Sequence, residues 1–169
     1  MGSIEDLPFR LDVAKAWEAI TPHIRRTPVM RVPELESSGG MRVFLKLENL
    51  QATGSFKLRG AANRMLAIPP EERRRGVVAC SSGNHGRAVA HMAGVLDLPA
   101  QICVPNWVDP VKKEGMERAG ARVILAGESY DEAEARALEL AETGGGIFVQ
   151  PFDDPWVAAG QGTLGLELL

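Results

Sequence analysis

The sequence predicts an α/β protein organised around a parallel sheet, and two observations lead there. From residue 76 onward, short apolar runs rich in β-branched residues alternate with helical stretches of about ten or more residues, the signature of βαβ units. Gly and Pro punctuate the boundaries where each helix has to stop. The composition agrees with a globular chain: 169 residues, 45% hydrophobic and 24% charged, enough for one domain or one and part of a second.

Taken in order, residues 11–25 carry an amphipathic helix pattern through Leu11, Val13, Ala14, Trp17, Ile20 and Ile24, with Asp12 near its start. Residues 42–47 alternate like a strand, and residues 56–66 read as a helix entered through Gly54-Ser55. Pro69-Pro70 breaks the chain and makes a natural hinge. Val77-Val78-Ala79-Cys80 is the first run of the alternating series, followed by helical spacing over residues 84–96 through Val89, Met92 and Ala93. Residues 101–104 are the second run, and residues 110–119 a helix closed by Gly120. Residues 122–125 are the third run, residues 130–142 a helix ending at Gly144, and residues 147–149 the fourth run. The crossovers should be right-handed. Pro155 can open a last helix, because a first-turn residue has no intrahelical use for its N–H. That helix runs to Leu169 with no Gly, polar cap or basic residue to close it, and reads as cut short.

Charge and cysteine usage exclude several function classes. A net charge of −3 argues against nucleic acid or an anionic membrane as partner, since both want a basic face. The run Arg73-Arg74-Arg75 follows Glu71-Glu72 and reads as a solvated helix end. Cys80 and Cys103 sit in apolar runs and read as buried small hydrophobes, without metal-ligand spacing. No disulfide framework, membrane span or signal peptide is expected, and a cytoplasmic setting is the default.

Two segments could carry chemistry. In Gly54-Ser55-Phe56-Lys57-Leu58-Arg59-Gly60-Ala61, a lysine is used in a chain holding five lysines and 14 arginines. Lysine offers what guanidinium does not, an amine able to lose its proton and attack a carbonyl. Partial burial would favour that neutral form. Read alone, Lys57 is better taken as a helix lysine with its head in water. The second segment, Cys80-Ser81-Ser82-Gly83-Asn84-His85-Gly86, lies between a strand and a helix, where open α/β sheets place their ligands. Its glycines permit a tight turn whose N–H groups face an incoming anion, a carboxylate being the obvious guest. Read alone, it is equally a Ser/Asn helix cap. Neither segment is a GxGxxG or P-loop pattern, so a nicotinamide or ATP site is not supported. Gly144-Gly145-Gly146 follows a helix and precedes a strand, and reads as a helix C-cap and turn.

In this order the two segments resemble the fold-type II pyridoxal-phosphate enzymes, most closely the threonine/serine dehydratases and serine racemases. Further matching segments are Arg26-Thr27-Pro28, Leu45-Lys46-Leu47-Glu48-Asn49, Tyr130-Asp131-Glu132-Ala133, Pro151-Phe152-Asp153-Asp154-Pro155 and Ala159-Gly160-Gln161-Gly162-Thr163. The resemblance implies a tryptophan-synthase-β-like α/β architecture. Residues 1–70 would be the first part of a large cofactor-binding domain, residues 71–150 a small α/β lobe, and residues 151–169 the start of a return to the large domain. It implies pyridoxal 5'-phosphate as cofactor, held by Lys57, which would also move the substrate Cα proton. Phe56 would pack on the pyridine ring and Asn84 would hydrogen-bond its hydroxyl. Ser81, Ser82, Gly83, Asn84 and His85 would hold the substrate carboxylate, mainly through backbone N–H groups. Ser82 matches the opposite-face acid/base of the racemases.

The implied reaction is dehydration and deamination of L-threonine or L-serine to a 2-oxo acid and ammonia. Serine racemase, 3-hydroxyaspartate dehydratase, a non-catalytic remnant and an α/β binding module are the alternatives. A small amino acid is the expected partner and the complete enzyme a homo-oligomer. No metal site is expected. The phosphate loop of the family and its residue at the pyridine nitrogen have no counterpart up to Leu169. Arg87 stands where the nucleotide-responsive racemases have Gln, against a carry-over of nucleotide regulation.

Overall fold

The computed structural model describes residues 12–36 and 39–169. Helix α1 (Val13–Ile20) is capped by Asp12, whose carboxylate accepts from the Lys15 N–H at 2.9 Å. The expected start at Leu11 lies outside the described residues. The α-helix also ends earlier than the apolar spacing predicts, because Pro22 turns the chain into a 3-10 turn over Thr21–His23. Strands β1 (Val29–Arg31) and β2 (Phe44–Lys46) pair antiparallel, with Met30 opposite Leu45. Three residues with a Pro on either flank give too short an alternation to announce β1 in the sequence. Helix α2 (Lys57–Leu66) follows.

The main sheet holds β3 (Val77–Cys80), β4 (Ala100–Val104), β5 (Arg122–Leu125) and β6 (Ile147–Phe148), all parallel, in the order β5-β4-β3-β6. Between them run α3 (Asn84–Leu96), α4 (Pro110–Arg118) and α5 (Tyr130–Leu140). Every residue of β3 is buried, as a strand covered on both faces requires. The period of two then sorts its side chains. Val77 and Ala79 join a large cluster with Leu58, Ala61 and Met65 of α2, Ala88, Val89 and Met92 of α3, and Met116 of α4. Val78 and Cys80 face the other way, onto Cys103 and Ala133 and Ala137 of α5. The large cluster runs without a break from α2 through α3 into the sheet.

Helix α5 is closed by a turn over Ala141–Gly145, with Gly144 at φ +88°, a conformation that costs a residue without Cβ little. The three glycines therefore form the turn into β6. Arg73 bonds the carbonyls of Ile68 and Leu66 at 3.1 and 3.2 Å, closing the end of α2.

Helix α6 (Pro155–Leu166) returns across α2, and the two approach so closely that only glycine fits at the crossing. A Cβ on Gly160 would lie 2.4 Å from the Arg59 carbonyl oxygen, and one on Gly60 2.9 Å from that of Val157. Beneath the crossing, fully buried Arg59 makes a two-pronged bond to Glu48, Nε to Oε2 at 2.9 Å and Nη2 to Oε1 at 2.8 Å. It also contacts Glu167 Oε1 at 2.7 Å. Lys46 pairs with the other oxygen of Glu167, and Thr27 donates to Glu48 at 2.6 Å. Two cations and two anions are thus enclosed together. The α-helix expected up to Leu169 ends at Leu166, and Glu167 turns inward to this cluster. Among the described residues, no helix is long and apolar enough to cross a membrane.

Candidate active site

The chain leaves β3 outward to β4 and β5, then returns through α5 to place β6 on the opposite side of β3. The direction of strand addition therefore reverses between β3 and β6, and the carboxyl ends of these two strands flank the crevice where open α/β sheets bind ligands. The turn after β3 holds Ser81, Ser82 and Gly83, and the segment after β6 holds Val149, Gln150 and Pro151.

Lys57, the first residue of α2, reaches this place from outside the sheet. Its Nζ donates to the Pro151 carbonyl at 2.7 Å. Burial pushes its pKa below the usual lysine value, which raises the share of neutral, nucleophilic amine. The Phe56 ring stands beside it, with its centroid 5.5 Å from Nζ, and the residue is exposed. From the other side, His85 Nε2 bonds the Val149 carbonyl at 2.9 Å. Residues from the two segments singled out in the sequence thus meet on three consecutive residues of a third.

Within the turn, the Gly83 N–H donates to Ser81 Oγ at 3.2 Å, while Ser82 and Gly83 are partly exposed and Asn84 is exposed. A Cβ on Gly83 would meet nothing within 4 Å, so the turn opens on free space. Gly86 faces inward, where a Cβ would lie 2.5 Å from the Ser81 carbonyl and 2.7 Å from Met116 Sδ. Glycine there lets α3 close up against the turn.

Capping separates these helices from the rest. Asp12, Asp109, Ser129 and Asp154 cap α1, α4, α5 and α6 through their side chains. Helices α2 and α3, which carry the candidate residues in their first turns, have no side-chain cap. The N-cap of α3 is Gly83, so the reading of this segment as a Ser/Asn cap does not hold. Its first N–H groups point from the positive end of the helix without an intrahelical partner, as an anion site requires. Thr53 Oγ1, Ser55 Oγ and His85 Nδ1 are buried without a hydrogen-bond partner among the described residues.

The sequence did not disclose Val149 and Pro151 as acceptors, because both act through main-chain carbonyls that leave no mark on residue type. Arg59 and Glu48 were visible only as parts of matching segments.

The family model of pyridoxal-phosphate dependent enzymes matches residues 20–169. The chain belongs to this family. Among curated relatives, it is 44% identical over 158 residues to an L-threonine ammonia-lyase of Thermotoga maritima, covering 94% of this chain and 39% of that protein. It is 43% identical over 159 residues to an L-threonine dehydratase of Staphylococcus aureus, covering 94% and 46%. Among solved structures, maize serine racemase superposes with a TM-score of 0.87 at 35% identity, covering 92% of this chain and 47% of that one. The chain thus spans less than half the length of these relatives. Its architecture is that of the fold-type II pyridoxal-phosphate enzymes. The groups present fit this cofactor: a lysine amine whose charged form is disfavoured by burial, an exposed aromatic side chain beside it, and an uncapped helix start.

Proposed function

We propose that this chain supplies the cofactor lysine and the substrate-carboxylate turn of an enzyme that removes the β-hydroxyl of L-threonine or L-serine. The observation that carries the reading is the convergence of Lys57 and His85 on residues 149–151 at the reversal point of the sheet. The relatives named as L-threonine ammonia-lyase and dehydratase give it its substrate class.

Pyridoxal phosphate, when bound, supplies the electron sink for negative charge at the substrate Cα. The protein's part is orientation and proton handling. Lys57 would hold the cofactor, and its Nζ would take the Cα proton, a task its lowered pKa suits. Phe56 would pack on the cofactor ring, and Asn84 would hydrogen-bond its hydroxyl. Ser81, Ser82, Gly83, Asn84 and His85 receive the carboxylate, which fixes the Cα bond to be broken. Loss of water leaves an enamine that hydrolyses to the 2-oxo acid and ammonia. Residues 1–70 and 151–169 belong, in this reading, to the large domain and residues 71–150 to the small lobe.

Serine racemisation is the second reading, favoured by the likeness to maize serine racemase; the Ser82 hydroxyl is common to both readings. With L-serine and pyridoxal phosphate supplied to the protein, 2-oxo acid release supports the first reading. D-serine without 2-oxo acid would replace it with the second.

A further inference from the structure

His85 is 3% exposed and sits one residue into α3, yet it is too deeply placed to offer its ring to a ligand as a charge. The Val149 carbonyl oxygen can only accept, so at 2.9 Å the Nε2 atom must carry the proton. A neutral imidazole has one proton, which leaves Nδ1 a lone-pair acceptor, and Nδ1 has no hydrogen-bond partner among the described residues. The opposite tautomer would set a lone pair against the carbonyl oxygen and bury an N–H with nothing to receive it. Burial holds the ring's pKa down at about 4; the Val149 bond works against this, and the charge of Lys57 adds to it.

We propose that His85 is a positioning residue: its neutral, Nε2-protonated ring ties the turn at Ser81–Gly83 to the strand end on which Lys57 also rests. The Val149 carbonyl holds the ring and the Pro151 carbonyl, two residues on, holds the Lys57 amine. The spacing between turn and lysine is thereby set through one short piece of main chain. His85 contributes neither charge nor acid–base capacity. Its importance for substrate rests on the carboxylate role given above to the turn, whereas the tie itself does not.

The full chain with 15N-labelled histidine tests the tie directly. His85 should show the Nε2–H tautomer and no protonation between about pH 5.5 and 8. An Nδ1–H tautomer, or a midpoint inside that window, would overturn the proposal. Two variants separate a tie from packing. H85Q can present a terminal N–H to Val149, while H85L fills space without a donor. Amide exchange at residues 83–87, referred to that of β3, should quicken about tenfold in H85L, the effect of one lost buried hydrogen bond, and return close to wild type in H85Q. Equal exchange in H85L and wild type, or no recovery in H85Q, would show that the ring acts as filler. L-threonine titrated into the cofactor-loaded wild type reads the carboxylate role separately. If no threonine binds, that role fails while the tie stands or falls on the tautomer and exchange results.

Discussion

Arg59→Met takes a guanidinium from between two buried carboxylates and puts an apolar chain of similar length in its place. The wild-type cluster balances Arg59 and Lys46 against Glu48 and Glu167, all four enclosed. The variant keeps both carboxylates with one cation, so a net negative charge stays in a dry site and Glu48 loses both prongs of its bond. Breaking a buried pair in this way typically costs about 3–5 kcal/mol. For a chain of this size, at roughly 2–4 °C per kcal/mol, the melting temperature should fall by about 6–20 °C. Arg59→Lys keeps the charge but not the planar fork, so its loss should be smaller. The pH dependence has a definite sign. Burial works to raise the pKa of Glu48, but the bonds and charge of Arg59 and the Thr27 hydroxyl prevail and hold it below its ordinary 4.5. A carboxyl with a depressed folded pKa stabilises above its unfolded pKa and loses that contribution as pH falls through the folded value. The gap between wild type and Arg59→Met should therefore narrow below about pH 4.5. Urea melts at pH 7 and pH 4 measure both effects. A variant within about 1 kcal/mol of wild type at pH 7 would mean that the buried carboxylates need no guanidinium.

Other substitutions probe the crossing, the turn and the thiols. Gly160→Ala should destabilise by about 1–3 kcal/mol or more, because the new methyl meets main chain rather than a movable side chain. Gly165→Ala, on the same helix with nothing within 4 Å, should gain up to about 1 kcal/mol, and denaturation of the pair isolates the close approach. Gly83→Ala adds a methyl to open space, so stability should change by about 0.5 kcal/mol or less. Amino-acid binding should nevertheless drop at least tenfold, and a calorimetric titration of the cofactor-loaded protein showing unchanged affinity would place the carboxylate elsewhere. Burial pushes the Cys80 thiol up to about 12 and Cys103 in the same direction. Both should resist a thiol reagent in the folded protein at pH 8 and react once urea unfolds it. Fast labelling of the native chain would contradict the packing of β3 and β4 against α5.

The sequence revealed most where a local pattern had one physical cause. The alternation from Val77 to Phe148 follows from strands covered on both faces and helices covering them, so the parallel sheet and its helices were legible, with ends shifted by one or two residues. Pro22 was visible too, but a helical pattern that continues to Ile24 hides that the α-helix has already given way to a 3-10 turn. The order β5-β4-β3-β6 was not legible, because nothing in a strand's residues says on which side of β3 the chain returns. The meeting of Lys57 and His85 depends on that return, since β6 brings Val149 and Pro151 to both. The pairing of Glu48, Arg59 and Glu167 was equally opaque: charged residue types do not announce burial until the α2–α6 crossing encloses them.

The proposed function stands on Lys57 as the amine that takes the cofactor. The direct measurement is to incubate the protein with limiting pyridoxal phosphate, reduce with borohydride and locate the tag by peptide mass spectrometry. Lys15, Lys46, Lys112 and Lys113 serve as internal competitors. Most of the tag should sit on Lys57, with a yellow absorbance that borohydride removes and that Lys57→Ala does not develop. Tag spread evenly over the exposed lysines, or the same absorbance in Lys57→Ala, would contradict it.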